Sequence, residues 1–254
     1  MATNNKPFLS VIIPSYNEGS NIKRGVLDRV VKYLEKQDYT YEVILSDDGS
    51  TDNSPQKLEA FAKKHKYWRF LANDHAGKGP TVASGMLAAK GKWRLFTDFD
   101  QSTPMNELEN LLPFTNEYDL VIGSRAIEGA KREKEPFYRH LMGLGFNVLT
   151  QLIALPGIQD SQCGFKLMSE KATTSLFPKL YIYSRDNAKK DAFTGAFDVE
   201  LLHLARKENF KIKEVGVSWH HNKTERVDPI KDSMRMLTDI IRVRMADLTG
   251  KYNR

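Results

Sequence analysis

A single cysteine, Cys163, stands among 254 residues, so no intramolecular disulfide can form and no cysteine-rich zinc site can be built; a reducing compartment is the expected setting. No apolar run approaches the roughly 20 residues that a membrane-crossing helix needs. The polar start, Met1 to Pro7, lacks the apolar centre of a secretion signal. The expectation is a cytoplasmic chain that does not cross a bilayer. Repeats, low-complexity tracts and long blocks of like charge are also missing, which leaves no candidate for a solenoid or a disordered arm. What is present is ordinary for a globular protein: 41% hydrophobic and 28% charged residues, enough to bury a full-sized core as one domain over residues 1–254. The net charge of +6 favours anionic partners, although a solvated basic surface has the same composition.

Short apolar runs at Leu9 to Pro14, Tyr41 to Ser46, Tyr67 to Leu71 and Trp93 to Thr97 read as buried strands. Between the first two, Ile22, Val26, Val30 and Leu34 recur every four residues, with Leu27 and Val31 beside them, which marks one apolar helix face. Ser54-Pro55 joins a capping residue to a proline at the first helical position, ahead of Leu58, Phe61 and Ala62. Pro80 opens a further helix through Val82, Met86 and Leu87, closed by Gly91. Such alternation predicts an α/β protein with a mostly parallel, doubly wound sheet, whose ligands gather beyond the carboxyl ends of the strands. After residue 120 the pattern loosens. Strands are expected at 119–124, 163–168 and 211–219, and helices at 137–153, 197–207 and 229–248.

Polar residues collect at the strand ends. Asp98-Phe99-Asp100 leaves the fourth strand and precedes Ser102-Thr103-Pro104, which starts another helix. Two carboxylates at i and i+2 reach one hard cation if the backbone turns there, and that cation can bridge diphosphate oxygens; a solvated or helix-capping pair is the competing reading. The Asp47 to Asp52 run, Asp-Asp-Gly-Ser-Thr-Asp, is either an ordinary turn or a place where Asp47 or Asp48 accepts hydrogen bonds from a base or ribose while Gly49 lets the backbone come close. Gly77-Lys78-Gly79 sets a lysine and backbone N–H groups before a helix, a setting that suits phosphate. The P-loop spacing is absent, so an ATPase of that type is excluded.

In order and spacing, Val11 to Glu18, Asp47 to Asp52 and Asp98-x-Asp100 resemble the donor-binding half of glycosyltransferase family 2. The resemblance implies a GT-A fold, a Rossmann-like mostly parallel sheet flanked by helices. It also implies a nucleotide-sugar half at about 8–125, an acceptor half at about 126–254, and inversion at the anomeric carbon. In the second half Gly123-Ser124-Arg125, Asp160-Ser161-Gln162-Cys163-Gly164-Phe165-Lys166 and Phe197-Asp198-Val199-Glu200-Leu201-Leu202 are similar to dolichyl-phosphate β-glucosyltransferases. The Asp160 to Lys166 run discriminates best, since the related mannosyltransferases more often carry Gly-Phe-Arg there. By this resemblance Pro14, Tyr16, Glu18 and Asp47 hold the nucleoside, while Asp98 and Asp100 hold Mg²⁺ or Mn²⁺. Lys78, Arg125 and Lys166 are cationic positions suited to donor or acceptor phosphate, and Arg226 is a further candidate clamp. The catalytic candidates are Asp100, through the cation that serves the leaving group, and Asp160, which by analogy lies close to the acceptor. Asp160 is assigned orientation or acceptor-side electrostatics, with proton removal mattering more if the acceptor is a hydroxyl. Departures from the pattern are Thr224-Glu225-Arg226 for Gly-Ser-Lys, Gly195 for the tryptophan before Phe-Asp-Val-Glu, a segment from Tyr181 to Thr194 that looks inserted, and no N-terminal anchor.

The expected activity is therefore transfer of glucose from UDP-glucose to a polyprenyl (dolichyl) phosphate, by a protein lying peripherally on the cytosolic face of a membrane. A phosphate monoester, with its second pKa at about 6, arrives already anionic, so a strong general base is unnecessary. A soluble family 2 transferase acting on a glycan or protein hydroxyl is the alternative. A basic nucleic-acid-binding module, suggested by Lys66-Tyr67-Trp68-Arg69, leaves the ordered acidic motifs unexplained, so no nucleic-acid partner is expected. Asp198 and Glu200 point differently on one helix, so at most one should face the site. Residues 137–153 and the stripe Met234, Leu237, Ile241 and Leu248, beside Lys231, Arg235, Arg242 and Arg244, either lie in a membrane interface or pack on the core. His220-His221 is read as an acceptor-side or surface pair.

Overall fold

The computed structural model describes residues 6–133, 145, 147–187, 196–221 and 229–253. Nine strands form within them: β1 Leu9–Ser15, β2 Tyr41–Asp47, β3 Trp68–Ala72, β4 Trp93–Thr97, β5 Leu120–Ser124, β6 Lys131–Arg132, β7 Phe165–Ser169, β8 Ile212–Gly216 and β9 Ser218–Trp219. Seven of them make one sheet in the order β3-β2-β1-β4-β7-β5-β8, and β6 pairs with β9 in a second. Every residue of β1 is buried, because helices cover both faces of the sheet. Alternation along the strand then feeds two cores. Val11 and Ile13 pack with Leu27, Leu58 and Leu108 on one side, while Ile12 and Phe96 pack with Val82, Met86 and Leu201 on the other. Each such fully buried aliphatic side chain contributes roughly 1.5–3 kcal/mol.

Most pairs are parallel, as the alternation predicts, but β7 runs antiparallel to both β4 and β5. The cause is the connection. β5 ends at the carboxyl edge of the sheet, and just past it Lys131 pairs with Ser218. β7 therefore enters from the carboxyl edge and runs down. This brings residues 160–164 beside the end of β4, and the Asp98 N–H donates to the Gly164 carbonyl at 3.0 Å. The antiparallel strand thus delivers the second-half motif to the first-half carboxylates.

Other boundaries shift for local reasons. The helix expected to open at Pro80 starts at Lys78, since the first helical N–H groups have no partner within the helix and a proline in the first turn costs nothing. It ends at Ala88, and Gly91 instead lies against β1, where its N–H donates to Ser10 Oγ at 2.8 Å. The helix expected after Pro104 is broken into a 3₁₀ turn at Met105–Glu107, one α turn at Leu108–Leu111 and a 3₁₀ stretch at Leu112–Asn116. Pro113, which lacks an N–H, interrupts the ladder. The strand expected at 211–219 divides at Val217, whose N–H donates to the Ser124 carbonyl. Of the helix expected at 137–153, only residues 145 and 147–153 are described, and they are helical.

Candidate functional site

Two loops at the carboxyl ends of β1 and β2 are fastened to each other. Asn17 adopts a left-handed φ of 53°; its Oδ1 accepts from the Thr51 and Asp52 N–H groups at 2.8 and 3.2 Å, and its own N–H donates to Ser50 Oγ. Asp47, assigned to the nucleoside, accepts from Ser15 Oγ, Ser50 Oγ and the Ser50 N–H. Asp48 is committed to the next loop: its carboxylate accepts from the Ala76 and Gly77 N–H groups, Thr81 Oγ1 at 2.7 Å and His75 Nδ1. It shapes the site by holding residues 75–77. Gly49 is required between them, since at φ 66° a Cβ would lie 2.8 Å from the His75 nitrogen. Tyr16 stacks on His75, with centroids 4.6 Å apart and planes at 17°, a partly exposed aromatic pair on which a base can stack. His75 was not singled out from the sequence; its place in the loop after β3 was the available signal. Pro14 is buried within β1, opposite Ser46 of β2, so it sets the strand end. Glu18 is also buried, with Asn21 Nδ2 donating to it.

Asp98 and Asp100 come together where β4 ends. Gln101, at a left-handed φ of 51°, turns the chain; its Nε2 donates to Thr97 Oγ1 and to the Asp98 carbonyl. Asp100 accepts from the Ser102 N–H and Ser102 Oγ, both at 2.9 Å. Burial, and then the charge of Asp98, lift the Asp100 carboxyl above the usual aspartate range. Asp98 Oδ1 meets Lys78 Nζ at 2.5 Å. Burial works to discharge that lysine, but Asp98, Asp198 and Asp100 together hold its pKa above the ordinary value. Gly164 leaves the room Asp98 occupies: a Cβ on it would lie 2.0 Å from Asp98 Oδ2.

A hard divalent cation fits this arrangement. Asp98 and Asp100 repel each other across a gap, all their donor atoms are oxygens, and a positive group already sits on Asp98. Among the described residues no group of three or more His, Cys, Asp and Glu side chains is placed to hold a metal. Phosphate oxygens and water would have to complete the shell, which is how Mg²⁺-type ions are commonly bound.

Lys166 does not serve as expected. It lies in β7, inside the sheet, with no side-chain exposure, and its Nζ donates to Asp198 Oδ1 and to the Cys163 carbonyl, each at 2.5 Å. No phosphate can reach it. It is an internal cation that neutralises Asp198, whose carboxyl burial pushes up and Lys166 and Lys78 pull down. Its helix neighbour Glu200 turns elsewhere, accepting from the Tyr181, Ile182 and Tyr183 N–H groups and from Tyr252 Oη. Only Asp198 of that pair joins the site's charge network.

Arg125 and Asp160 are likewise committed to each other. Arg125 donates from Nε and Nη2 to the two Asp160 oxygens at 2.7 and 2.9 Å, and its backbone N–H adds a third bond. Burial alone would raise the Asp160 carboxyl, but Arg125 holds it below the usual range. A carboxylate so held is a poor proton acceptor. Glu214 fixes the loop by accepting from the Gln159 and Asp160 N–H groups, and the guanidinium lies 5.5 Å from the Trp219 ring centroid. Arg226 lies outside the described residues, as do Thr224, Glu225 and Gly195. A cavity of about 580 Å³ opens beside Asp100 and Gln101, with Arg29, Lys32 and Lys36 on its wall.

The Arg125–Asp160 pair predicts a pH signature. Replacing Arg125 by Met leaves a buried carboxylate unpaired, at a cost of about 3–5 kcal/mol. Because the native Asp160 value is depressed, the pair's stabilisation is fully present above the ordinary aspartate pKa and is lost as pH falls through the folded value. Thermal melts of wild type and Arg125→Met should therefore differ most at neutral pH and converge below a pH of about 4.

Comparison with known proteins gives consistent likenesses. The family model described as glycosyl transferase family 2 matches residues 10–177. A dolichyl-phosphate beta-glucosyltransferase of Dictyostelium discoideum is 34% identical over 258 residues, covering 96% of this chain and 76% of the relative. That of Saccharomyces cerevisiae is 33% identical over 265 residues, covering 96% and 76%. Among solved structures, glucosyl-3-phosphoglycerate synthase of Mycobacterium tuberculosis, in complex with Mn²⁺, uridine diphosphate and glucosyl-3-phosphoglycerate, matches with a TM-score of 0.60 and 17% identity over 97% of this chain and 80% of that one. At that identity the likeness concerns the fold, a mostly parallel sheet of GT-A type flanked by helices.

Proposed function

Because this chain belongs to glycosyltransferase family 2, we propose that it transfers glucose from UDP-glucose to dolichyl phosphate, with inversion at the anomeric carbon and with Mg²⁺ or Mn²⁺ at Asp98 and Asp100. The observation that carries the reading is the meeting, at the carboxyl edge of one sheet, of two carboxylates just beyond β4 with Lys78 at a helix start and Gly164 from the second-half motif. Bound there, a divalent cation neutralises charge on the departing diphosphate. The Tyr16–His75 stack offers a face to the base, and Lys78 offers a charge to the phosphates.

The state of Asp160 favours a phosphate over a hydroxyl acceptor. A hydroxyl needs a group to take its proton, whereas both Asp160 oxygens are held by Arg125. An anionic phosphate oxygen needs only to be aimed. The relatives named for dolichyl phosphate support the same choice.

A lipid acceptor also suits the surface. The helix Pro229–Leu248 buries Ile240, Val243 and Ala246, while Met234, Ile241, Met245 and Leu248 on its other side are exposed, Leu248 at 67%. In residues 147–153 Thr150 is buried, and Val148, Leu149 and Leu152 are exposed, Leu152 at 77%. Apolar surface of this kind beside exposed Arg242 and Arg244 is what an interfacial helix presents. The proposal includes peripheral attachment to the cytosolic face of a membrane; no helix among the described residues is long and apolar enough to cross one.

A thermal-shift panel tests the donor half. UDP-glucose with Mn²⁺ or Mg²⁺ should raise the melting temperature by several degrees more than either alone, since only bound ligand stabilises. Absence of metal-dependent stabilisation by any UDP-sugar would overturn the donor assignment.

A further inference from the structure

Two lysine–aspartate pairs lie in this site, and they differ in one respect that matters. Lys166 has no exposure, and its Nζ is held by Asp198 and by the Cys163 carbonyl. Lys78 is 21% exposed, its partner Asp98 is 37% exposed, and the ion pair between them is 2.5 Å long. The first pair is locked inside the sheet. The second stands at the surface of the site, on the carboxylate a cation would need.

We propose that Lys78 is a built-in counter-ion that occupies Asp98 until a divalent cation replaces it, and that the released ammonium then turns to the donor diphosphate, so metal and nucleotide load together. The inference rests on the metal assignment made above. A lysine ammonium and a metal ion cannot both contact Asp98 Oδ1 at close range, because like charges repel most where little water separates them. One must leave for the other to bind.

The surroundings decide when it leaves. Lys78 Nζ lies against Asp98 Oδ1, and the second carboxylate, Asp100, follows two residues on in the turn held by Gln101 and Ser102. Withdrawing Lys78 without a replacement would leave the two strand-end carboxylates facing each other. A divalent cation removes that repulsion, and a diphosphate gives the displaced ammonium a new partner. Each ligand therefore removes an obstacle to the other, which is positive coupling between two sites.

The motion required is small. Lys78 begins the helix Lys78–Ala88 behind Gly77, which holds a left-handed φ of 91°. Only the flexible four-carbon stem of the lysine needs to turn, while the backbone stays. Thr81, in the first turn, is anchored through Oγ1 to Asp48, so the base of the lysine is fixed while its tip is free to exchange.

The test uses Mn²⁺ alone as the probe, read by electron paramagnetic resonance of the free ion, without donor, acceptor or turnover. Lys78→Met should bind Mn²⁺ more tightly than wild type in the absence of nucleotide, by about tenfold, within the usual range of coupling between ligands. It should also lose most of the enhancement of Mn²⁺ binding that UDP gives the wild type. Lys78→Arg, which keeps the charge, should retain weak binding of Mn²⁺ alone, and Lys78→Gln serves if the Met variant does not fold. Unchanged or weaker Mn²⁺ binding by a folded Lys78→Met or Lys78→Gln, beside a wild type that binds Mn²⁺ with UDP, would overturn the counter-ion role and leave the metal site standing. A wild type that binds no Mn²⁺ even with UDP would overturn the metal assignment, and this inference with it.

Discussion

Asp98→Asn is expected to lower glucosyl transfer by roughly 10²–10³-fold, the usual cost of removing one preorganised electrostatic contact from a leaving-group site. The substitution changes charge and little else. Asparagine fits the space that Gly164 leaves open, and the backbone N–H of residue 98 can still donate to the Gly164 carbonyl. The folded structure should therefore survive, as circular dichroism would report, while kcat/KM falls at saturating metal. Asp100→Asn should act in the same direction. The Ser102 N–H can still donate to the amide oxygen, and Ser102 Oγ can turn to accept from the amide nitrogen, so again the loss would be mainly one of charge. Transfer within about threefold of wild type in both variants would contradict the assignment, since a solvated or capping pair has no reason to affect rate.

Gly164→Ala is the second large effect, and it arises without changing any charge. A Cβ at 164 would lie 2.0 Å from Asp98 Oδ2 and 2.6 Å from Oδ1, far inside contact distance, so the carboxylate must turn away from the place where it meets Lys78. A displacement of about 1 Å in a group that positions reactants costs on the order of 10²-fold. We expect kcat/KM to fall by that order and Mn²⁺ affinity in the presence of UDP to weaken with it. Overpacking would also reduce stability by about 1–3 kcal/mol. A drop in melting temperature with kinetics and metal affinity intact would show that Gly164 serves packing alone.

These two positions mark what could and could not be read before the structure. The Asp98–Asp100 pair was legible because a short, largely apolar run, Trp93 to Thr97, leads straight to it, and strand ends on one edge of a parallel sheet gather ligands. The polar groups at Asn17, Asp47 and Lys78 were legible for the same reason. Gly164 was visible as part of a motif, but its purpose was not, since it depends on β7 entering the sheet antiparallel and laying residue 164 against Asp98.

Lys166 failed for a related reason. A lysine in a motif that resembles a transferase's suggests phosphate, yet its strand lies between β4 and β5 with helices on both faces, so its side chain points into the core. Arg125 and Asp160 are 35 residues apart in sequence and share two side-chain hydrogen bonds; nothing local to either residue announces the other. Asp48 illustrates a subtler limit. Turn residues bind ligands and bind their own loops with the same atoms, and only the positions of Ala76, Gly77 and Thr81 show that this carboxylate is engaged internally.

Glucosyl transfer to dolichyl phosphate is tested by incubating the protein with radiolabelled UDP-glucose, purified dolichyl phosphate and Mn²⁺ or Mg²⁺, then partitioning the products between organic and aqueous phases. The prediction is label in the organic phase that requires both the metal and the lipid's phosphate, and that disappears with Asp98→Asn. Label that never enters the lipid, and appears instead on a glycan or protein hydroxyl, would contradict it.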